Sequence, residues 1–407
     1  MNWTITITLL LTVGYLYRMV LHYVQYRSAG NPTPANVADV FDTQTYQQWK
    51  SYSAEKCRLG MVSSTVSYIA GLVLLLTKAY AAFAALFPDG IFLQLLSVLL
   101  LECVLNALIS AVLNYVETMG IEEKYGFNRS TMKTFVIDQI RSLILELLLS
   151  LFLVGALALL HQTMGDWLIV LFAAVVFCLS LGISFLYPIF SRIGNKFVPL
   201  EEGELKDQLM NLLTKHGYQV KAIEVMDASR RTTKLNAYFT GFGKLKTIVL
   251  YDNLLAAMTP DEICAVFAHE LGHGLHKDVL KQQIMNLGNL LLMGLLVWLA
   301  VREPDMHTAF GFSQVNYGFA FILLSIGLGL VQPLTGILRN AYSRHAEYRA
   351  DRQAVAEGFG PALITGLKKL AKENFAHLAP SPVLVVLEYS HPPLSERIEA
   401  IEAANNT

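Results

Sequence analysis

Apolar residues along this chain gather in long unbroken runs, not in the alternating or one-faced patterns of soluble strands and helices. Runs long enough to cross roughly 30 Å of hydrocarbon cover Trp3–Val24, Thr65–Phe87, Ile91–Leu113, Val136–Leu160, Trp167–Phe190, Ile284–Val301 and Tyr317–Leu338. Two long polar segments interrupt them, Gln25–Ser64 and Ser191–Gln283, and a third begins at Arg339. The pattern predicts a mainly α fold, a bundle of seven transmembrane helices. Its expected divisions are five spans in residues 1–190 with a loop at 25–64, a polar segment at 191–283, two further spans at 284–338, and a closing segment at 339–407.

The middle segment reads as a small α+β unit. A helix is expected over Glu201–Lys215, ended by Gly217, followed by strand-like runs at Val220–Met226, Asn236–Phe242 and Lys246–Leu250, the last extended by Tyr251. Thr259-Pro260-Asp261-Glu262 then reads as a helix start, with Thr as cap, Pro in the first turn and Glu three residues past the cap.

Composition agrees with a membrane protein. Of 407 residues, 54% are hydrophobic and 15% charged, with mean hydropathy +0.44, whereas soluble domains carry about 25% charged residues. The net charge of −1 argues against a nucleic-acid partner, which would require clustered bases. Cys57, Cys103, Cys178 and Cys264 form no C-x-x-C pair, so neither a disulfide framework nor a thiolate metal site is indicated.

No Lys or Arg precedes the first apolar run and no small-residue cleavage site follows it, so it reads as a retained helix and not as a signal peptide. Basic residues accumulate on one set of connections, with Arg27, Lys50, Lys56, Arg58, Lys124, Arg129 and Lys133, whereas Arg302 is the sole base in Pro88–Gly90, His161–Asp166 and Arg302–Val315. The positive-inside rule therefore predicts an outside N-terminus, and a cytoplasmic C-terminus and polar domain.

Polar residues recur every four positions at Glu102, Asn106, Ser110 and Asn114, and again at Asp138, Ser142, Glu146 and Ser150. Each set shares one helix face. The faces could join helices by hydrogen bonds or line a hydrated chamber, and Lys78 fits either arrangement.

The chemistry lies in His269-Glu270-Leu271-Gly272-His273. Two histidines four apart on a helix can bind one ion, and Glu270 beside them is where a general base is needed to take a proton from water at the metal. The flanking Ala265, Val266, Phe267 and Ala268 make this helix apolar, unlike a solvated helix carrying two chance histidines. A catalytic zinc needs a third protein ligand. Six residues after His273 stands Val279, not a histidine, and His276, one helical turn on, is better suited to capping or to facing polar surroundings. Glu347 and Asp351 are four apart in Ser343–Asp351. They could supply a ligand and a carboxylate that orients a ligand histidine, or belong to an exposed helix of Arg–carboxylate pairs.

With these motifs the sequence resembles the seven-span membrane zinc proteases of the type 1 CAAX prenyl protease family. The resemblance extends to Glu123–Asn128, to Asn236-Ala237-Tyr238 with Gly241, to Ile248–Asp252 and to Ser390–Arg397. It implies one zinc ion per chain bound by His269, His273 and Glu347, Glu270 as catalytic acid/base, and a large chamber enclosed by the helices. It also implies an edge strand at Asn236–Tyr238 that pairs with substrate backbone, and His391 and Arg397 near the metal as oxyanion stabilisers. The expected function is zinc-dependent endopeptidase action on hydrophobic, membrane-associated or lipidated peptides at the cytoplasmic face. The role would be either prenyl-protein processing or membrane protein quality control, and the compactness of the chain favours a bacterial inner membrane. The related four-span stress proteases would leave the first part of the chain unmatched. A different class of reading, a transporter or scaffold with structural zinc, would require a fourth protein ligand and leave Glu270 without a role.

Overall fold

The computed structural model describes residues 2–192, 195–230, 232–240 and 245–406. Helix α1 spans Trp3–Ser28 and pairs with the second half of α2, Thr43–Leu76, where Tyr15 stacks on Tyr68. After the short α3, Ala79–Ala84, come α4 (Ile91–Tyr115), extended by a π-helical segment Val116–Glu122, then α5 (Met132–Met164) and α6 (Leu168–Phe190). Strand β1 (Phe197–Pro199), α7 (Glu204–Lys215), β2 (Gln219–Met226), β3 (Ala237–Thr240) and β4 (Leu245–Tyr251) open the polar domain. It continues with α8 (Asp252–Ala257) and α9 (Pro260–Leu275). Helix α10 (Asp278–Arg302), α11 (Pro304–Thr308) and α12 (Tyr317–Ala356) return through the bundle. The chain closes with α13 (Gly360–Glu373), α14 (Pro382–Glu388) and α15 (Leu394–Asn405).

Six of these helices, α1, α2, α4, α5, α10 and α12, are long and apolar enough to cross a membrane among the described residues. Seven had been expected. The fifth run corresponds to α6, whose described apolar core, Val170–Ile183, is shorter than a span. The second run also differs, because it does not continue to Phe87 as one helix. Lys78 adopts a left-handed backbone with φ 58° and breaks the chain between α2 and α3.

The sheet has the order β1-β2-β4-β3, with β2 and β4 parallel and both outer strands antiparallel to their neighbours. Among the described residues β3 is therefore an edge. It falls within the expected Asn236–Phe242 strand, of which residues 241 and 242, like Gly241 of the family motif, lie outside the described residues.

Two main cores follow from these elements. In the membrane, Leu95, Leu99, Leu157, Phe172, Val297 and Phe319 pack together, while α1 turns Ile5, Leu9, Val13, Leu16 and Val20 outward, each at least 50% exposed. An apolar face of that extent is stable only against lipid, where helices satisfy their own backbone groups. In the polar domain, Leu209 and Leu213 of α7, Ile248 and Leu250 of β4 and Ile263, Phe267 and Leu271 of α9 form the second core, joined by Ala354 of α12. Helix α12 thus belongs to both.

Candidate metal centre

Helix α9 begins as its sequence dictates. The Thr259 hydroxyl accepts from the Glu262 amide at 3.3 Å and the Glu262 carboxylate accepts from the Thr259 amide at 2.8 Å, a reciprocal cap with Pro260 in the first turn. The buried Ile263, Phe267 and Leu271 fix its apolar face. This sets its angular position, so His269 and His273 face α12.

Helix α12 lies unusually close. A Cβ placed on Gly272 would stand 2.8 Å from Ala350 Cα and 3.0 Å from Gln353 Cβ, so only glycine allows the backbones to approach this far. The close crossing brings Glu347 to the histidines. Its Oε2 is 3.4 Å from His269 Nε2 and its Oε1 is 3.3 Å from His273 Nε2. Two ligand atoms about 2.05 Å from a tetrahedral ion stand about 3.3 Å apart, so the spacing suits a shared zinc. The chemistry of the site fits as well. Glu347 Oε2 is buried and makes no hydrogen bond, its charge met at 3.4 Å by Arg397 Nη1 and by His269 Nε2, so an acceptor is left that a metal ion could take. Among the described residues, His269, His273 and Glu347 are the group whose side chains could hold a metal ion.

Carboxylates behind the ligands complete the centre. Asp351 Oδ1 lies 2.8 Å from His269 Nδ1, and the carboxylate accepts two hydrogen bonds from Arg397, 2.9 Å from Nε to Oδ2 and 2.6 Å from Nη2 to Oδ1. Burial alone would lower the His269 pKa, but the Asp351 and Glu347 carboxylates beside the ring outweigh it and lift the value to about 9. Burial likewise opposes the charge on Arg397, and its bonds to Asp351 hold the guanidinium's pKa above its usual value.

The partner of the second histidine is Asp278, which the sequence reading passed over. Its Oδ2 lies 3.1 Å from His273 Nδ1, while its Oδ1 accepts from Tyr342 at 2.7 Å and Arg349 Nη2 at 2.6 Å. Five residues beyond His273 would not share a helix face with it. Lys277, with φ 54°, breaks the helix and turns Asp278 back toward the imidazole. His276 is the C-cap residue of α9.

The remaining expected residues are distributed around this centre. Glu270, His273, Glu347, Ser390 and His391 line one cavity of about 550 Å³. His391 is exposed, with Nε2 3.3 Å from Glu347 Oε1 and Nδ1 2.9 Å from Ser390 Oγ. Arg397, in contrast, is buried behind the ligands with its guanidinium directed at Asp351 and 3.4 Å from Glu347 Oε2. Ala237 and Tyr238 lie in edge strand β3, and Asn236 immediately precedes it, its carbonyl accepting from the Tyr251 amide at 3.2 Å. Ala237 packs on the core shared with α9. Of the polar stripes, Glu102 bonds Tyr80 and Asn106 and lines, with Arg18 and Ser325, a cavity of about 190 Å³ among the membrane helices. Ser110 and Asn114 line a second of about 290 Å³.

Residues 199–405 match peptidase family M48, and residues 22–192 match the family described as CAAX prenyl protease N-terminal, five membrane helices. The chain is 30% identical to a rice CAAX prenyl protease 1 homolog over 406 residues, covering 96% of this chain and 95% of the relative. It is 32% identical to a probable CAAX prenyl protease 1 of Schizosaccharomyces pombe, covering 91% and 82%. The crystal structure of S. mikatae Ste24p superposes with a TM-score of 0.90 at 26% identity, covering 98% of this chain and 99% of that one. These relatives are eukaryotic and lend no support to a bacterial setting.

Proposed function

Because the chain belongs to peptidase family M48, as an integral-membrane metalloendopeptidase of the CAAX prenyl protease kind, we propose that it cuts peptides at a zinc ion held by His269, His273 and Glu347. The observation that carries this ligand set is the convergence of Glu347 on both imidazoles, Oε2 3.4 Å from His269 Nε2 and Oε1 3.3 Å from His273 Nε2. A scaffold with structural zinc would leave the adjacent cavity and Glu270 unexplained.

When bound, zinc would supply Lewis acidity, polarising a scissile carbonyl and acidifying a water molecule toward a pKa of about 7. Glu270 lines the cavity beside two of the ligands. Its carboxylate takes the proton from the attacking water and returns it to the departing amine nitrogen. Asp351 and Asp278 accept from the Nδ1–H of His269 and His273, fixing the tautomers that leave each Nε2 free to bind metal. His391 Nε2 opens into the cavity, where it can donate to a carbonyl oxygen that gains negative charge. Arg397 acts through Asp351 and is a positioning residue.

We assign substrate backbone pairing to β3 from Asn236 onward, a reading supported by its edge position. Substrates are peptides with a lipidated or hydrophobic portion, approaching from the bilayer to a cytoplasmic site, with the N-terminus outside. The polar-lined cavities beside Glu102 and Ser110 favour a chamber among the helices.

The deciding experiment is Glu270→Gln in purified protein. Zinc content should stay at one per chain while cleavage of a farnesylated peptide falls by about 10²- to 10⁴-fold, the usual contribution of a general base. Normal cleavage by this variant would sink the mechanism.

A further inference from the structure

The segment that leads into β3 is held partly by a region of the chain that the mechanism above does not use. Within the polar domain, Asn253 Nδ2 donates to Thr232 O at 3.2 Å and to Lys234 O at 3.0 Å, and the Leu235 amide donates to Asn374 Oδ1 at 3.1 Å. The further hold comes from the connection between α4 and α5. Asn128 forms an antiparallel bridge with Thr232. Lys234 Nζ stands 3.5 Å from Glu122 Oε2 and 5.2 Å from the centre of the Phe127 ring.

Glu122 is the centre of this connection. Its carboxylate accepts from Tyr52 Oη at 2.7 Å and Lys56 Nζ at 3.1 Å, and its carbonyl accepts from the Phe127 and Asn128 amides at 2.8 Å and 3.2 Å. Lys56 is also paired with Glu117, so two carboxylates meet two ammonium groups. The helix geometry explains how. On an α-helix, Glu117 and Glu122 would point about 140° apart, too far for one lysine of α2 to meet both. They lie instead at the two ends of the π-helical segment Val116–Glu122. Its wider turn closes hydrogen bonds from i to i+5 and brings the fifth residue back toward the side of the first, a departure from regular helix that concentrates at functional sites. The same turn presents Glu122 to Lys234.

We propose that Glu122 is a positioning residue for the substrate: through Lys234 it fixes the segment Thr232–Leu235, and so sets how well edge strand β3 pairs with an extended peptide backbone. Asn236 and Ala237 follow within three residues of Lys234, so movement of this segment is passed directly to the pairing edge. Backbone hydrogen bonds hold between about 2.7 and 3.2 Å, and a strand displaced by half an ångström or so would meet the peptide poorly. The side-chain partners of Glu122 are Tyr52, Lys56 and Lys234, and none of them is a metal ligand. Its effect therefore falls on substrate binding and not on the chemical step. The inference rests on the assignment of backbone pairing to β3 and extends it to the groups that hold the strand.

The test measures kcat and KM of the zinc-loaded protein on a farnesylated peptide and on a copy N-methylated at two alternate residues away from the scissile bond. Methylation removes strand pairing and keeps the side chains. In the wild type it should raise KM about five- to thirtyfold, the range for one or two net backbone hydrogen bonds. Glu122→Gln should raise KM for the unmodified peptide about fivefold, with kcat and zinc content unchanged and KM for the methylated peptide unmoved. Lys234→Met removes a partly exposed side chain, so it should show the same pattern even if Glu122→Gln folds poorly. The double variant should be no weaker than either single one, since the two groups act as a pair. An equal rise in KM for both peptides would overturn the assignment. So would a lowered kcat or unfolding midpoint with KM unchanged, the mark of a merely structural cluster. A wild type indifferent to methylation would remove the pairing role of β3 first and this inference with it. Failure of the peptidase reading would register separately, as undiminished cleavage by the Glu270→Gln protein.

Discussion

Asp278 joins more of the metal site than any other residue the sequence reading left out. Its carboxylate touches ligand His273, Tyr342 and Arg349, so Asp278→Asn removes the charge that fixes the His273 tautomer while keeping the shape. Zinc affinity should fall about 10- to 100-fold, the usual cost of losing such a partner, and competition against a chelator measures it. Tyr342→Phe, which keeps the carboxylate, should cost less. Another residue-scale prediction concerns His377. Its Nε2 lies 2.8 Å from Ser28 Oγ and its Nδ1 accepts from the Ala379 amide at 3.3 Å, leaving no room for a second ring proton. Burial pushes its pKa down to about 4, against about 6.5 in an unfolded chain. The unfolded state therefore binds the proton more readily, so this contribution is intact above pH 6.5 and is lost as pH falls from there through 4. With the ring partly open to solvent, the loss is on the order of 2 kcal/mol. Unfolding of wild type and His377→Gln across this range should show their stability difference shrinking with acid, and a difference independent of pH would refute the account.

Among the elements, the crossing of α9 and α12 decides the site, and it turns on one glycine. The 2.8 Å approach to Ala350 Cα at Gly272 means Gly272→Ala must separate the helices, at about 1–3 kcal/mol for overpacking. The larger effect should be on metal, since the same shift moves Glu347 away from both histidines. Zinc binding measured by calorimetry should weaken more than the midpoint of unfolding falls. The motifs on these two helices were legible from sequence because the capping box at Thr259 and the four-residue spacings are local signals. Element boundaries were less so. Gln25–Ser64 reads as a polar connection, yet α2 begins at Thr43, since a helix that buries Trp49 and Cys57 on one side shows no unbroken apolar run. Likewise α12 runs through Arg339 without a break, so hydropathy marks where the apolar stretch ends but not where the helix ends. Asp278 was hidden for a third reason. Its contact depends on the left-handed turn at Lys277, which no periodicity reveals.

For the whole molecule, the metal site is the place where the membrane bundle and the polar domain are tied together. Helix α9 belongs to the polar core and α12 runs from the membrane core into that same domain, so a cation held by His269, His273 and Glu347 would join the two. In its absence, the crossing relies on the Asp351–Arg397 network and on close apolar packing at Gly272. Bound zinc stabilises the folded state by RT ln(1 + [Zn]/Kd), about 4 kcal/mol when free zinc is a thousandfold above Kd. Chelation should therefore do more than abolish cleavage. It should lower the unfolding midpoint and raise amide hydrogen exchange selectively in residues 260–275 and 340–356, while the lipid-facing part of α1 is unchanged. Re-addition of zinc should reverse both effects. In the Glu347→Gln variant, where the charge that balances the ion is gone, chelation should have little left to change. Uniform loosening of the bundle on chelation would show that the ion acts on the fold at large and not at this crossing.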